Sequence, residues 1–426
     1  MIYSLSIRNF LSFKNESTIS FEATKDTHLE EPHVVEVAEG VRLNKLGIIY
    51  GYNASGKSNL IEAFQFLRSF WFTIADDKDD DTGVIPFMLD HESKNKPSDF
   101  KLVFYHNSIK YAYYLSLTEK IVFHEKLDFY PGIQPANIFE RTYEKGVSVI
   151  NFGNKIKVSI IAKNELSIKC LPNISVFAAL NQINVNIKEL NTVSLWMKNQ
   201  VMRSVEPLTR LQGFTEKLVI ENNLYKEQIL SHLQKADFNI SQINSNEFEQ
   251  EVPDDVISQA EKIGGFPLKE LERLKKERTI KMTKTEFEHS VMNDKKIETF
   301  PLSIELQSDG TKRIFGLFGV ILKAIEDDAF LSIDELESKL HPRLIEYVIE
   351  QFLRNSKRSQ LLVATHYDNL FDEEDLLRKD NFWFTEKGED ASTKLYPLSE
   401  FNGLNRISSF QKAYKFGKFG AIPNIN

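Results

Sequence analysis

The residues with the clearest chemical meaning are Gly51-Tyr-Asn-Ala-Ser-Gly-Lys-Ser58, which fit the pattern GxxxxGK[ST] at every position. In this pattern backbone N–H groups cradle phosphate oxygens, the lysine reaches the β- and γ-phosphates, and the hydroxyl binds Mg²⁺. A chance match in a glycine-containing turn is the alternative, but a buried strand is expected before the motif and a helix after it. The sequence therefore predicts a nucleotide site. Its expected contacts are Asn53, Ala54, Ser55, Gly56, Lys57, Ser58 and Asn59.

A second candidate group is the acidic pair Asp334-Glu335, which follows the apolar run at 329–333. A buried strand of a parallel sheet delivers such residues at its carboxyl end, where ligands bind. We expect Asp334 to hold Mg²⁺ and Glu335 to act as the base that polarises the attacking water. An exposed acidic turn is the alternative, and the phosphate-binding motif makes it the weaker one.

A third group is Ser308 and Gly310, immediately before an amphipathic helical pattern. A serine, a flexible glycine and a helix N-terminus together form a phosphate cradle, although the same residues are also an ordinary helix cap. The position 26 residues before Asp334 favours the cradle. One subunit does not need two cradles for one nucleotide, so we expect these residues to complete the site of a second copy.

His366 follows the apolar run at 361–365. A single histidine in such a place is commonly structural. If this run is the strand next to the one that ends at Asp334, however, the imidazole reaches the γ-phosphate and the attacking water. We therefore predict a catalytic role for His366 beside Glu335 and Lys57.

Alternating strand and helix patterns position these residues. A strand at 46–50 precedes a helix at 57–71, and near the other end the order is helix 311–326, strand 329–333, a helix opened by Pro342, and strand 360–365. Such units predict a parallel sheet flanked by helices. Between them, residues 99–152 alternate as antiparallel hairpins, and residues from 174 to about 287 have a helical texture that is broken at 264–267.

Composition limits the class of protein. The 61 acidic and 53 basic residues leave a net charge of −8, which argues against a chain coated with nucleic acid. The single cysteine, Cys170, excludes a disulfide framework and a CxxC metal site. No apolar run reaches the roughly 18 residues of a membrane span, and the N-terminus lacks the apolar block of a signal peptide. We expect a cytoplasmic location and no membrane partner.

In combination these motifs resemble the ATP-binding-cassette (ABC) ATPase fold. Leu5-x-Ile-x-Asn-Phe10 and Gly51-x-Asn53 resemble its SMC/RecF/OLD branch. The segments Ser308-Asp-Gly-Thr-Lys312, Ile333-Asp-Glu-Leu-Glu337 and Gly417-Lys-Phe-Gly-Ala-Ile-Pro423 are similar to AAA15/AAA21-type ATPases of phage-defence and abortive-infection loci.

The resemblance implies an α/β P-loop NTPase fold with a mixed sheet, an antiparallel β subdomain and an inserted helical domain. We expect one ATPase lobe over 1–173, the insertion over 174–300, and a second lobe over 301–426. It further implies Mg²⁺-dependent ATP hydrolysis at composite sites in a homodimer or higher homo-oligomer. A separately encoded effector, a toxin or nuclease, is the expected partner.

Some positions depart from the family pattern or stay ambiguous. Gln307 stands where an acidic residue is common, and Gln65, on the helix after the P-loop, is a poor candidate for the family's Q-loop glutamine. Arg8 and Lys14 are equally well explained as nucleotide contacts or as surface residues.

Two other functions remain open: a RecF/SMC-like DNA-repair ATPase that binds DNA, and a switch that binds ATP and hardly hydrolyses it. The basic run at 275–278 with Lys281 is a possible nucleic-acid patch, for which a solvated helix face is the simpler explanation.

Overall fold

A computed structural model describes residues 1–236, 239–263 and 268–423. The chain divides into two compact units. Unit 1 comprises Met1–Leu208, Ala324–Ser338 and Ile345–Asn426, and unit 2 comprises Thr209–Lys323 and Lys339–Leu344. The predicted boundaries at 174 and 300 differ from this division, because residues 174–208 belong to unit 1 and residues 301–323 to unit 2.

The regular elements are numbered in chain order. The strands are β1 Ile2–Arg8, β2 Ser17–Ser20, β3 Val34–Ala38, β4 Val41–Asn44, β5 Leu46–Tyr50, β6 Ser98–His106, β7 Ile109–Leu117, β8 Val122–Tyr130, β9 Ala136–Glu144, β10 Val147–Phe152, β11 Ile240–Glu251, β12 Thr279–Asn293, β13 Lys296–Ser303, β14 Phe330–Ile333, β15 Gln360–Ala364, β16 Phe382–Lys387 and β17 Thr393–Pro397. The helices are α1 Glu30–His33, α2 Lys57–Phe70, α3 Ile160–Lys169, α4 Val176–Leu180, α5 Lys188–Gln200, α6 Gln212–Glu221, α7 Asn223–Lys235, α8 Asp254–Ile263, α9 Leu268–Glu277, α10 Asp309–Glu326, α11 Pro342–Asn355 and α12 Phe410–Lys415.

The central sheet of unit 1 has the strand order β14-β15-β5-β16-β17. The first four strands are parallel and β17 is antiparallel, so the sheet is mixed. Every residue of β5, β14 and β15 is buried, as expected for parallel strands whose two faces are both covered. Helix α2 packs on this sheet, with the rings of Phe64 and Phe330 4.6 Å apart. The predicted α/β fold with a mixed sheet is confirmed.

The second large sheet of unit 1 is antiparallel, in the order β10-β9-β8-β7-β6-β1-β2, which confirms the predicted hairpins. Its apolar face joins the same core. The helices α4 and α5, predicted as part of the inserted domain, instead pack here: the rings of Trp196 and Phe104 stack 3.8 Å apart. Their apolar stripes are buried against the sheet, and this burial assigns them to unit 1.

Unit 2 contains α6 and α7, the antiparallel sheet β11-β12-β13, the helix pair α8 and α9, and most of α10. Its three long strands correct the prediction of a helical segment. Charged residues such as Lys281, Lys284 and Glu286 alternate with few apolar ones, and the strands expose most of their residues, so the apolar alternation that predicts a strand is weak here. Phe287 is buried with its ring 5.3 Å from that of Phe315 in α10. The predicted break at 264–267 lies outside the described residues.

Two glycines allow α6 to approach α10 closely in unit 2. A Cβ at Gly316 would come within 2.5 Å of the Leu211 Cβ, and one at Gly319 would overlap Thr215. The Thr215 hydroxyl donates to the Gly316 carbonyl at 3.2 Å. Larger residues at these positions would separate the two helices.

Within residues 1–236, 239–263 and 268–423, no helix combines the length and the apolar character that crossing a bilayer requires.

Candidate functional site

The loop between β5 and α2 has the backbone geometry of a phosphate cradle. Ala54 and Gly56 both adopt positive φ, 64° and 112°, and Gly56 is the N-cap of α2. A Cβ at Gly56 would overlap the Thr393 hydroxyl and come within 3.0 Å of that of Ser12. Only glycine therefore fits at this point of the loop, immediately before the first residue of α2.

A network of hydroxyl groups fixes this loop from the protein side. Ser55 Oγ lies 2.7 Å from Thr385 Oγ1, and Thr393 Oγ1 donates to the Ser55 carbonyl at 2.8 Å. Asn59 Nδ2 donates to Ser12 Oγ at 2.7 Å. The side chains of Ser55 and Asn59 thus position the loop, whereas Asn53, Ala54 and Ser58 are exposed. Ser12, Thr385 and Thr393 carry no motif, so the sequence did not single them out.

Lys57 places its ammonium group at the centre of the site. Its side chain is buried, and Nζ lies 2.8 Å from the Gly51 carbonyl, 3.3 Å from the Tyr52 carbonyl and 3.0 Å from His366 Nε2. An ammonium only donates, so Nε2 accepts and the imidazole is neutral, with its proton on Nδ1. The structure thus brings together two predicted site residues that are 309 positions apart.

Burial lowers the pKa of Lys57, and the nearby carboxylates of Asp334, Glu337 and Glu335 oppose that shift. Burial also lowers the pKa of His366, the positive charge of Lys57 adds to that shift, and the same three carboxylates oppose it. The lowered pKa of His366 agrees with a neutral acceptor ring. The site therefore combines one buried cation, one neutral imidazole and a group of carboxylates.

The acidic pair lies at the carboxyl end of β14, as predicted. Asp334 is buried, its backbone N–H donates to the Val205 carbonyl at 2.8 Å, and its Oδ1 accepts from the Glu335 N–H at 3.1 Å. Glu335 is exposed and has a φ of 46°, a conformation that non-glycine residues adopt uncommonly. This backbone turn directs the two carboxylates differently: one is held in the protein and the other faces outward.

Glu337 is a site residue that the sequence analysis left without a role. Its Oε2 accepts from the Thr365 hydroxyl and its Oε1 from the His366 backbone N–H, both at 2.6 Å. These bonds tie the end of β15 to the turn after β14 and so fix the position of His366. The sequence signal for this role was the position of Glu337, a third acidic residue directly after Asp334-Glu335-Leu336.

Ser308 and Gly310 belong to unit 2, where Ser308 caps α10. Its hydroxyl oxygen accepts from the Thr311 N–H at 3.1 Å, and a Cβ at Gly310 would lie 3.2 Å from the Lys339 carbonyl. Ser308 is exposed, as is the first residue of the helix, Asp309, which pairs with Lys339 at 3.1 Å. Ser308 and the start of α10 thus form both a helix cap and an exposed helix N-terminus.

Gln307 stands where the family commonly has an acidic residue, and its hydrogen bonds within unit 2 explain the amide. Gln307 is buried, and its Nε2 lies 2.9 Å from His289 Nε2 and donates to the Leu302 carbonyl at 3.3 Å. The amide therefore joins the start of α10 to β12 and β13. A carboxylate at this position could not donate those bonds.

The residues available for Mg²⁺ are Ser58, on the first turn of α2, and Asp334. Both offer the oxygen ligands that Mg²⁺ prefers, and protein Mg²⁺ sites commonly use one or two carboxylates together with substrate phosphates and waters. No group of three or more His, Cys, Asp or Glu side chains gathers as a metal site in the part of the chain that the structure describes. This donor set fits a metal that arrives with a nucleotide.

The remaining basic candidates near the first strand are ion-paired. Arg8 pairs with Asp99, and Lys14 lies 3.2 Å from Asp90. Gln65 lies on α2, where its Oε1 accepts from the Ser204 N–H at 2.9 Å. Each of the three residues therefore has a partner within unit 1.

The basic residues of unit 2 that were considered as a nucleic-acid patch also have acidic neighbours. Lys275 lies 2.7 Å from Glu261, Arg278 lies 3.4 Å from Asp254, and Lys281 lies 3.9 Å from Glu247. Acidic groups of this kind offset the positive potential that a phosphate backbone requires.

Comparisons with known proteins add a family to this geometry. Among solved structures, the "SMC head domain from Thermotoga maritima" is similar, with 15% identity over 93% of this chain and 98% of that chain and a TM-score of 0.39. The "SmcHead bound to the C-winged helix domain of ScpA" has 13% identity over 97% and 99% of the two chains and a TM-score of 0.41. A search of curated protein sequences found no match.

A family model described as "AAA domain, putative AbiEii toxin, Type IV TA system" matches residues 48–145 and 218–372. The matched residues include the P-loop, Ser308, Asp334, Glu335 and His366. Because this match takes in more than half of the sequence, the chain belongs to that AAA_21 family of ATPases.

Proposed function

We propose that this protein is an Mg²⁺-dependent ATPase whose active sites form between two copies of the chain. The observation that carries the proposal is the contact between Lys57 and His366 at 3.0 Å, with the carboxylates of Asp334, Glu335 and Glu337 close enough to influence both. A buried cation beside a neutral imidazole and an outward-facing carboxylate suits transfer of a phosphoryl group to water.

Each residue has a distinct role in this proposal. Lys57 balances the charge of the β- and γ-phosphates when its Nζ turns from the loop carbonyls toward them. Ser58 and Asp334 would hold Mg²⁺, which would supply further positive charge to the phosphate oxygens. Glu335 accepts a proton from the attacking water, and neutral His366 accepts a hydrogen bond there. Glu337 keeps His366 in place.

Completion of the site by a second copy rests on Ser308 and Gly310. The exposed N-terminus of α10 presents backbone N–H groups and a hydroxyl, a combination that binds anions. We infer that it contacts the γ-phosphate held by the partner's P-loop, so that ATP joins two copies around a two-fold axis.

Complementation between two inactive variants tests this arrangement. Ser308→Arg is expected to bind ATP nearly as well as the unchanged protein but to lose ATP-dependent association and hydrolysis, because the new side chain occupies the space for the phosphate. Mixing it with Lys57→Ala protein should restore some hydrolysis, since each mixed dimer keeps one intact composite site. Ser258→Arg, an exposed serine on α8 of the same unit, is the matched control and should hydrolyse ATP normally.

ATP hydrolysis by the mixture tests the trans arrangement only if mixed dimers are shown to form. Two affinity tags, one on each variant, allow their isolation in the presence of ATP. Isolated mixed dimers without any hydrolysis contradict the trans arrangement, as does normal hydrolysis by Ser308→Arg alone.

We further infer that the ATPase acts in the cytoplasm as the sensor or regulator of a phage-defence system with a separately encoded toxin or nuclease. The family description and the resemblance of the motifs support this role. The acidic neighbours of Lys275, Arg278 and Lys281 favour it over DNA repair. Plaque assays with the gene and its neighbours, intact or carrying Lys57→Ala, test it: equal phage titres in all strains contradict a defence role.

A further inference from the structure

A cavity of about 190 Å³ lies beside the segment that follows His366, and none of the predicted nucleotide-site residues lines it. Its floor is apolar and its rim is polar. The rim residues are Asp26, His28, Glu374 and Lys379, and the floor is formed by Phe371, Leu377, Phe382, Leu398 and Phe410, each at most 4% exposed.

The size of the cavity indicates what kind of group it accepts. Sites for small molecules and cofactors commonly measure about 300–1,000 Å³. A cavity of about 190 Å³ is smaller and instead suits one large apolar side chain that is inserted from outside. Apolar anchors of this kind, seated in a pocket and surrounded by polar contacts, dominate the affinity of protein interfaces.

The charge around the opening indicates which residues flank the inserted apolar side chain. Glu374 lines the opening and belongs to the acidic segment Asp372-Glu373-Glu374-Asp375. Burial raises the pKa of Glu373, and the neighbouring carboxylates of Glu346, Asp375 and Asp372 raise it further, as expected where negative charges crowd together. The rim cation, Lys379, is directed at the Phe410 ring, 5.3 Å from its centroid.

The wall of the cavity is held in place before any ligand arrives. Nε2 of His28 lies 2.8 Å from the Glu374 carbonyl, and Nε2 of His33 lies 2.8 Å from the Leu376 carbonyl. Arg378, buried and paired with Asp380 at 2.8 Å, also donates to the His28 carbonyl. A pocket that is already ordered binds its partner without the entropy cost of closing around it.

We infer that this cavity is the docking site for a basic segment of a separate protein, which inserts one large apolar side chain between the acidic rim residues. The shape supplies the place for the anchor, and the carboxylates select lysine and arginine beside it. Identification of that protein as the effector rests on the proposed function, whereas the binding itself does not.

The position of the cavity connects it to the nucleotide site of the same unit. The floor residue Phe371 stacks on Tyr50 with ring centroids 4.2 Å apart, and Tyr50 immediately precedes Gly51 of the P-loop. The Tyr50 hydroxyl donates to the carbonyl of Tyr367, the neighbour of His366, at 2.8 Å. Phe371 thus links the cavity, through Tyr50, to the start of the P-loop and to the residue after His366.

Selection from a phage-displayed random peptide library on the immobilised full chain, without nucleotide, tests the inference. We expect enriched peptides to carry a large apolar residue flanked by lysine or arginine. A fluorescein-labelled synthetic copy should bind in fluorescence anisotropy, and versions with alanine at the anchor or glutamate at the flanks should bind at least about tenfold more weakly. Enrichment of peptides without this pattern, or of none, overturns the inference.

Charge reversal at the rim residue Glu374 and at its neighbour Asp375 provides the test variant, for which a matched control exists. Glu374→Lys/Asp375→Lys replaces exposed residues and should weaken binding of the basic peptide about tenfold, an effect that shrinks at high salt. Glu119→Lys/Glu165→Lys makes the same change of charge at exposed positions that do not line the cavity, and should bind as the unchanged protein does. Equal affinity of both double variants overturns the inference.

The docking proposal and the ATPase proposal are contradicted by different results. Binding is measured without nucleotide, so a protein that binds the peptide but never hydrolyses ATP retains the docking site and loses the proposed function. A protein that hydrolyses ATP but binds no such peptide gives the reverse result. Where both hold, adding the peptide should change the hydrolysis rate of the unchanged protein and not that of Glu374→Lys/Asp375→Lys.

Discussion

A buried lysine lies near each end of strand β5, and the two lysines have different surroundings. Lys45 immediately precedes the strand, and its Nζ donates to the carbonyls of Leu353 at 3.2 Å and Ser356 at 2.8 Å, at the carboxyl end of α11. Lys57 follows the loop after the strand, and its Nζ contacts two loop carbonyls and an imidazole. Burial lowers the pKa of both side chains.

The difference lies in the partners. The carbonyls around Lys45 form the negative end of a helix, so the cation stabilises the fold where it is. The partners of Lys57 include a titratable ring, and three carboxylates influence its charge, in a loop shaped to receive an anion. Burial of an ammonium is thus not by itself a sign of catalysis, and it is the position of Lys57 beside the P-loop that supports the proposed function.

Replacing Lys57 is expected to have the largest effect on ATP hydrolysis. Lys57→Ala should lower turnover roughly 100- to 1,000-fold, because the charge that balances the β- and γ-phosphates is lost. Titration calorimetry should show weakened ATP binding in a folded protein. ATP binding at the affinity of the unchanged protein would remove Lys57 from the site.

Glu335→Gln should reduce hydrolysis about 100-fold while ATP and Mg²⁺ stay bound, since the amide preserves the shape of the carboxylate but does not accept the proton. Single-turnover assays separate the two steps. Size-exclusion chromatography with ATP should also show a more stable oligomer. If turnover is unchanged, Glu335 is not the base and His366 becomes the candidate.

Glu337→Gln tests positioning of His366 and should cost about tenfold in turnover. The carboxylate of Glu337 opposes the burial that lowers the His366 pKa, so its removal lowers that pKa further. Activity that requires the neutral ring is lost as the pH falls through this pKa. The acidic limb of the pH–rate profile should therefore move to lower pH, and a limb that does not move contradicts the requirement for a neutral His366 ring.

Lys45→Met should have the smallest effect on hydrolysis and a clear effect on stability. It removes two buried hydrogen bonds from a charged donor, which we expect to cost about 2 kcal/mol in the free energy of unfolding. Differential scanning fluorimetry should show a lower Tm, with ATP affinity of the folded protein unchanged. Lys45→Met and Lys57→Ala are each other's control, and similar loss of ATP binding in both would abolish the distinction between the two ends of β5.

Several features followed from the sequence alone because they depend on neighbouring residues. The apolar run of β5, the GxxxxGK[ST] spacing and the helical stripe of α2 predicted the cradle with nearly its observed boundaries. The same holds for the strand before Asp334 and for the hairpins of the antiparallel sheet. Periodicity and backbone preference act within a few residues, so a local pattern is sufficient.

Other features were decided only by the tertiary structure, because they join residues far apart in the chain. Thr385 and Thr393 support a loop more than 320 positions earlier, and Glu337 acquires its role from the end of a neighbouring strand. The strands β11 to β13 expose most of their side chains, so the hydrophobic alternation that identifies a strand is weak, and pairing between strands determines their structure. Packing also assigned α4 and α5 to unit 1, since apolar stripes show that a helix is buried but not which core buries it.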